Sequence, residues 1–184
     1  MRLVRRDDIV DYQTYGDQRE EFRRRVMAVK EPRRIHVGDD FTLLVENTLT
    51  IRYQIQEMMR AERIVREDDI QHELDTYNAL LGGDGELGCT LLIEIPDAQD
   101  RARKLSEWLG LPERVYLELE DGVRVFATVD ADQQDGSRVS SVQYLRYRVD
   151  DRVPVAAGVD FPGVEVRTAL TAAQRSALRE DLGA

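Results

Sequence analysis

Residues 115–129 leave little freedom in the choice of fold. Val115, Leu117 and Leu119 alternate with Tyr116, Glu118 and Glu120; Asp121-Gly122 follows; then Val123, Val125, Ala127 and Val129 alternate back. A period of two on both arms of an Asp-Gly pair specifies a β-hairpin, because the glycine accepts the positive φ that the turn demands. After a polar loop, Asp130 to Arg138, the stretch Ser140–Val149 is expected to add a third strand and complete an antiparallel meander. Strands joined by hairpins, not helical crossovers, argue against a doubly wound parallel sheet.

The first half of the chain is mostly helical in pattern. Phe22, Val26 and Val29 fall on one face among Arg19, Arg23, Arg24, Arg25 and Lys30, in a helix that should stop before Pro32. Arg34–Val37 and Phe41–Val45 flank Gly38-Asp39-Asp40 as a short hairpin. A longer helix is expected from Thr48 to Val65, capped by Asn47 or Thr48, with Ile51, Ile55, Met58 and Met59 as its apolar stripe. Asp68 or Asp69 opens a further helix through Ile70, Leu74, Tyr77 and Leu81 to Gly82-Gly83. Cys89–Ile95 reads as a buried strand, and Asp97 caps a helix with Ala98, Ala102, Leu105, Trp108 and Leu109 inward. Around Val153–Gly158 charge thins and Pro and Gly appear, as in a connector or edge segment. Val164–Thr168 is a short strand, and Thr171 to Gln174 has capping-box spacing for a last helix. The expected fold is α+β: an antiparallel meander packed against several helices, with residues 1–152 as the core domain and 153–184 as a strand-plus-helix segment packed on it.

Composition excludes several classes. The net charge of −10 argues against a surface devoted to nucleic acid. One cysteine, Cys89, supplies neither an internal disulfide nor a thiolate cage, which suits a reducing compartment. No apolar run reaches the roughly 18 residues of a membrane span. The basic start, Met1 to Arg6, lacks a following apolar stretch, so no secretory signal and a cytoplasmic location are expected.

Chemistry-bearing motifs are sparse. Gly82-Gly83-Asp84-Gly85 lacks the lysine and the preceding strand of a phosphate loop, and there is no Gly-x-Ser-x-Gly elbow. Cys89 sits in an apolar strand that disfavours a thiolate. His36 and His72 do not have metal-ligand spacing, no metal site is assigned, and no cofactor is specified. Both histidines suit structural or solvated positions, although His72, opposite its helix's apolar stripe, is also free to meet a partner.

The Thr48–Val65 helix is the informative segment. At 100° per residue, Glu62 falls about 20° from Ile51, inside the apolar stripe. A carboxylate there needs a partner or a cleft, unless the core ends before it. Gln54 borders the stripe and needs a partner too. Arg52, Gln56, Arg60 and Arg63 occupy about 100° to 180° of the same helix. Such a face clamps a phosphate or carboxylate, pairs with internal acids, or is simply solvated. Residues 1–34 carry ten basic against seven acidic side chains, the remainder sixteen against twenty-nine, an asymmetry that weakly favours docking.

The blocks Ile35–Asn47, Gln54–Ile64, Ile70–Leu81 and Thr90–Ile95, with the meander, resemble the bacterial family catalogued as domain of unknown function 3501. The Gln-Ile-Gln-Glu-Met run at 54–58 is the most specific marker, and Gly82 departs from the proline expected after Leu80-Leu81. The resemblance implies no catalytic residue. Gene neighbourhoods of the family imply an accessory role beside rubrerythrin-like or iron–sulfur proteins, an association without mechanism. Glu46, Asn47, Gln54, Gln56, Glu57, Arg60, Glu62 and His72 fall in its distinctive blocks and are the candidates for a shared site.

The first functional reading is a cytosolic accessory protein that binds a protein partner or a small anionic ligand through the arginine face. The second is an acid–base or metal-dependent enzyme in which Glu46, Glu57 and Glu62 converge with His72 or Gln54. Oligomeric state stays open: the Arg- and Met-bearing helix suits a homodimer seam as well as a core.

Overall fold

Residues 1–129 and 136–183 are described by the structure, a computed structural model. The chain runs α1 (Tyr12–Lys30), β1 (Arg34–Val37), β2 (Phe41–Val45), α2 (Thr48–Glu62), α3 (Glu67–Asn78), β3 (Glu86–Ile93) and α4 (Ala98–Glu107). It continues through β4 (Val115–Glu118), β5 (Arg124–Phe126), β6 (Thr128–Val129), β7 (Val142–Arg148), β8 (Ala156–Phe161), β9 (Val164–Ala169) and α5 (Ala172–Leu182). The fold is α+β, with two antiparallel sheets ordered β1-β2-β3-β7-β6 and β5-β4-β8-β9.

The expected meander is present in its pairings, β4 with β5 and β6 with β7, but it is divided between the sheets. The alternation that reads as one strand over 123–129 switches sheets at Ala127, whose N–H donates to the Val115 carbonyl (2.9 Å) while Thr128 and Val129 pair with Arg146 and Leu145. On the opposite side β1 lies against β8 and β9. The two sheets therefore wrap one barrel-like core that includes Leu43, Leu91, Leu117, Leu145, Tyr147 and Val159.

Helices close the ends of this core. Trp108, just past α4, stacks against Phe41 at the start of β2 (centroids 5.1 Å apart). Asn47, beyond the end of β2, reaches Asp181 of α5, and Leu178 of α5 enters the core. Leu109, expected inward, is exposed, because α4 ends at Glu107 and Gly110 turns the chain at φ 81°. A second apolar layer joins Val4, Ile9, Ile51, Ile55, Met59, Ile70 and Leu74, placing α2, α3 and the N-terminal segment together. All five residues of β2 are buried, so that strand is covered on both faces.

Two glycines explain departures from the expected boundaries. The stretch 153–158, expected as a connector or edge, leads into β8, an interior strand paired with both β4 and β9. A Cβ at Gly158 would strike the Tyr116 ring and sit 2.5 Å from the Val166 carbonyl oxygen, so only glycine leaves Tyr116 its seat. β3 begins three residues before the expected Cys89. At Gly88 a Cβ would collide with the Leu80 carbonyl, and its absence lets the turn after α3 lie directly on the strand.

Candidate functional site

Asn47 caps α2 by accepting hydrogen bonds from the Leu49 and Thr50 amides (3.1 and 3.0 Å), and Ile51, Ile55 and Met59 are fully buried. The polar side of this helix turns out to be an internal interface. Arg52 stacks on Phe22 of α1 (5.1 Å), with a buried Nε that has no hydrogen-bond partner among the described residues. Gln56 was expected to face outward with the arginines; it is buried instead. Its amide accepts from the Val10 N–H (2.9 Å) and donates to the Val10 carbonyl (3.0 Å), because the N-terminal segment lies over this face. Glu57 receives Arg19 Nε and a terminal nitrogen, both at 2.8 Å, and the Tyr15 hydroxyl at 2.6 Å. Burial pushes the Glu57 carboxyl up, but these three hydrogen bonds outweigh it and leave its pKa below the ordinary 4.5. Burial, with Glu57 alongside, raises Tyr15. Arg60 approaches Glu57 at 3.9 Å, and Arg63 is exposed in the left-handed conformation (φ 53°) that ends the helix.

Of the arrangements open to Glu62, the structure has the core ending before it: Glu62 is the last residue of α2 and is exposed. Glu62 and the exposed His72 both lie near Glu73 of α3, whose pKa is raised by burial first and by Glu62 next, with His72 opposing. Gln54 is half-buried. Glu46, Glu57, Glu62, His72 and Gln54 are not brought to one point. Among the described residues, no three His, Cys, Asp or Glu side chains are grouped to hold a metal.

Glu46 and Asn47 belong to a buried polar hub behind α2. Glu46 is fully buried and accepts from the Thr50 hydroxyl (2.5 Å) and the Thr90 hydroxyl (2.7 Å). Beside it Arg33, also buried, grips Asp181 bidentately (2.7 and 2.8 Å) and donates to the Val29 carbonyl (2.9 Å). The Asn47 amide donates to Asp181 (3.3 Å). Burial lowers the Lys30 pKa despite the field of Glu46, and raises the Cys89 thiol. These groups spend their hydrogen bonds on one another and tie the end of α1, α2, β3 and α5 together.

The feature that the sequence reading missed lies at the outer side of α5. A cavity of about 570 Å³ is lined by Leu119, Glu120, Asp121, Asp151, Arg152, Val153, Arg175 and Arg179. Arg175 and Arg179 stand one helical turn apart on α5. Among the described residues, Arg175 reaches only Glu120, at 3.9 Å, and its buried Nε has no hydrogen-bond partner. Arg152 meets Asp121 at 3.5 Å and Asp150 at 3.9 Å. Arg179 forms no ion pair among the described residues. Its sequence signal was the i, i+4 arginine pair after the Thr171 cap; the residues that complete the cleft are distant in sequence.

The profile of DUF3501, described as a protein of unknown function, matches residues 3–182. Among solved structures, a crystal structure described as a novel protein of unknown function from Burkholderia pseudomallei is similar, with 30% identity and a TM-score of 0.91, over 98% of this chain and 100% of that one. No curated protein matches the chain. Among the described residues, no helix is long and apolar enough to cross a membrane.

Proposed function

The chain belongs to the DUF3501 family, whose description assigns no activity, and we propose that it is a binding protein that holds a small charged ligand in the cleft beside α5. One contrast carries this reading. Four arginines elsewhere are saturated by bidentate carboxylates: Arg19 with Glu57, Arg33 with Asp181, Arg6 with Glu67 and Arg167 with Glu118, all at 2.6 to 2.9 Å. In the cleft the pairs are 3.5 to 3.9 Å long or absent, so guanidinium donors remain for a ligand's oxygens. The volume suits a small molecule.

On this reading the anion-binding role falls to α5 and not to α2, where Arg52 lies on the Phe22 ring and Gln56 is spent on the Val10 backbone. The enzyme reading draws no support from Glu46, Glu57, Glu62 and His72, which lie apart. A small ligand is the occupant that the cleft's size and charged lining favour.

Calorimetric titration with inorganic phosphate, succinate and a dipeptide tests the reading. At least one should bind saturably, and Arg179→Ala should weaken it about tenfold or more, roughly 1.4 kcal/mol. No binding by any of the three, or loss caused by Arg60→Ala or Arg63→Ala in place of Arg179→Ala, overturns it.

A further inference from the structure

The walls of the cleft differ in sign. Arg175 and Arg179 form the α5 wall. Glu120 and Asp121, from the turn between β4 and β5, and Asp151, from the loop between β7 and β8, supply carboxylates facing it. Arg152 is the one cation on the loop side, and it leans on Asp121 and Asp150. Among the described residues, the Asp151 side chain, like that of Arg179, makes no ion pair or hydrogen bond. Between these charges lie Leu119, buried, and Val153, half-buried.

We infer that the ligand is a zwitterion of amino-acid to dipeptide size, with its carboxylate on Arg175 and Arg179 and its ammonium on Asp151 and Glu120. This rests on the cleft being the binding site and adds the chemical class of its occupant. A plain anion that neutralises the α5 wall brings its charge toward Glu120 and Asp151. A plain cation meets the opposite conflict with Arg175 and Arg179. Only a molecule carrying both charges satisfies both walls at once, and the Leu119–Val153 strip accepts its aliphatic part.

The test uses the full chain and three matched probes: the dipeptide alanyl-alanine, its N-acetyl form, which is an anion only, and its C-terminal amide, which is a cation only. Calorimetry should show the dipeptide binding about tenfold or more tighter than either blocked form. Asp151→Asn should erase the preference over the N-acetyl form, and Arg179→Ala the preference over the amide. Both residues are exposed, and unchanged thermal midpoints verify folding of the variants. If the N-acetyl form or phosphate binds as well as the dipeptide, the zwitterion assignment falls while the cleft remains a binding site. If no probe binds, phosphate and succinate included, both fall.

Discussion

Asp181→Asn isolates the tie that holds α5 to the rest of the molecule. Both partners, Arg33 and Asp181, have side chains only 5% exposed, and the carboxylate takes two guanidinium hydrogen bonds and one from Asn47. The amide keeps the shape but removes the charge and turns a donor toward Arg33, leaving a buried cation without its counter-ion. Breaking a buried pair this way costs about 3 to 5 kcal/mol. Glu180, 3.6 Å from Arg33 but 81% exposed, offers only a solvent-screened substitute, so the lower half of that range is expected. For a chain of this length each kcal/mol lowers the melting midpoint by roughly 2 to 4 °C, which gives a fall of about 6 to 16 °C. Urea unfolding should show the same loss at an unchanged slope. The double variant Arg33→Met with Asp181→Leu, which removes both charges, should recover at least half of it. A loss below about 1 kcal/mol for Asp181→Asn, or a double variant no better than the single, would show that the buried Arg33–Asp181 pair is not what holds α5.

Three further outcomes follow from the packing. Gly158→Ala should cost about 3 kcal/mol or more in urea unfolding, since its Cβ meets both the Tyr116 ring and the Val166 carbonyl; a near-neutral result would contradict the seat assigned to Tyr116. Glu57, with its pKa held below 4.5, contributes stability that is fully present above that value and is lost as pH falls through the lower folded value. The difference in urea midpoint between wild type and Glu57→Gln should accordingly be constant near neutrality and close only in acid. Tyr147 is fully buried with a hydroxyl that has no hydrogen-bond partner among the described residues, so Tyr147→Phe should leave calorimetric stability within about 1 kcal/mol or raise it.

Local chemistry in the sequence marked most of the elements. Asn47, Asp97 and Thr171 each cap the helix expected of them, and Gly122 takes φ 81° in the hairpin turn. Features that depend on distant chain were not legible. Ala127 looks like one more step in an alternating strand, and only the placement of β7 makes it a switch between sheets. The Ala-Ala-Gly run of β8 lacks alternation because the strand is buried on both sides, and small residues there make room for Tyr116. Gln56 lies at the correct helical angle for solvent, but a single chain pattern does not reveal that residues 4–10 return to cover it. The cleft escaped for the same reason: Glu120, Arg152 and Arg179 have no common period, and the fold alone assembles them.

The claim that ligand recognition resides at α5 is tested most directly by following backbone amide resonances of the isotopically labelled full chain during titration with alanyl-alanine. Saturable shifts confined to residues around 119–121, 151–153 and 172–182 are expected. Shifts centred on α1 and α2 around Arg52, Arg60 and Arg63, or no shifts at all at millimolar probe, would contradict it.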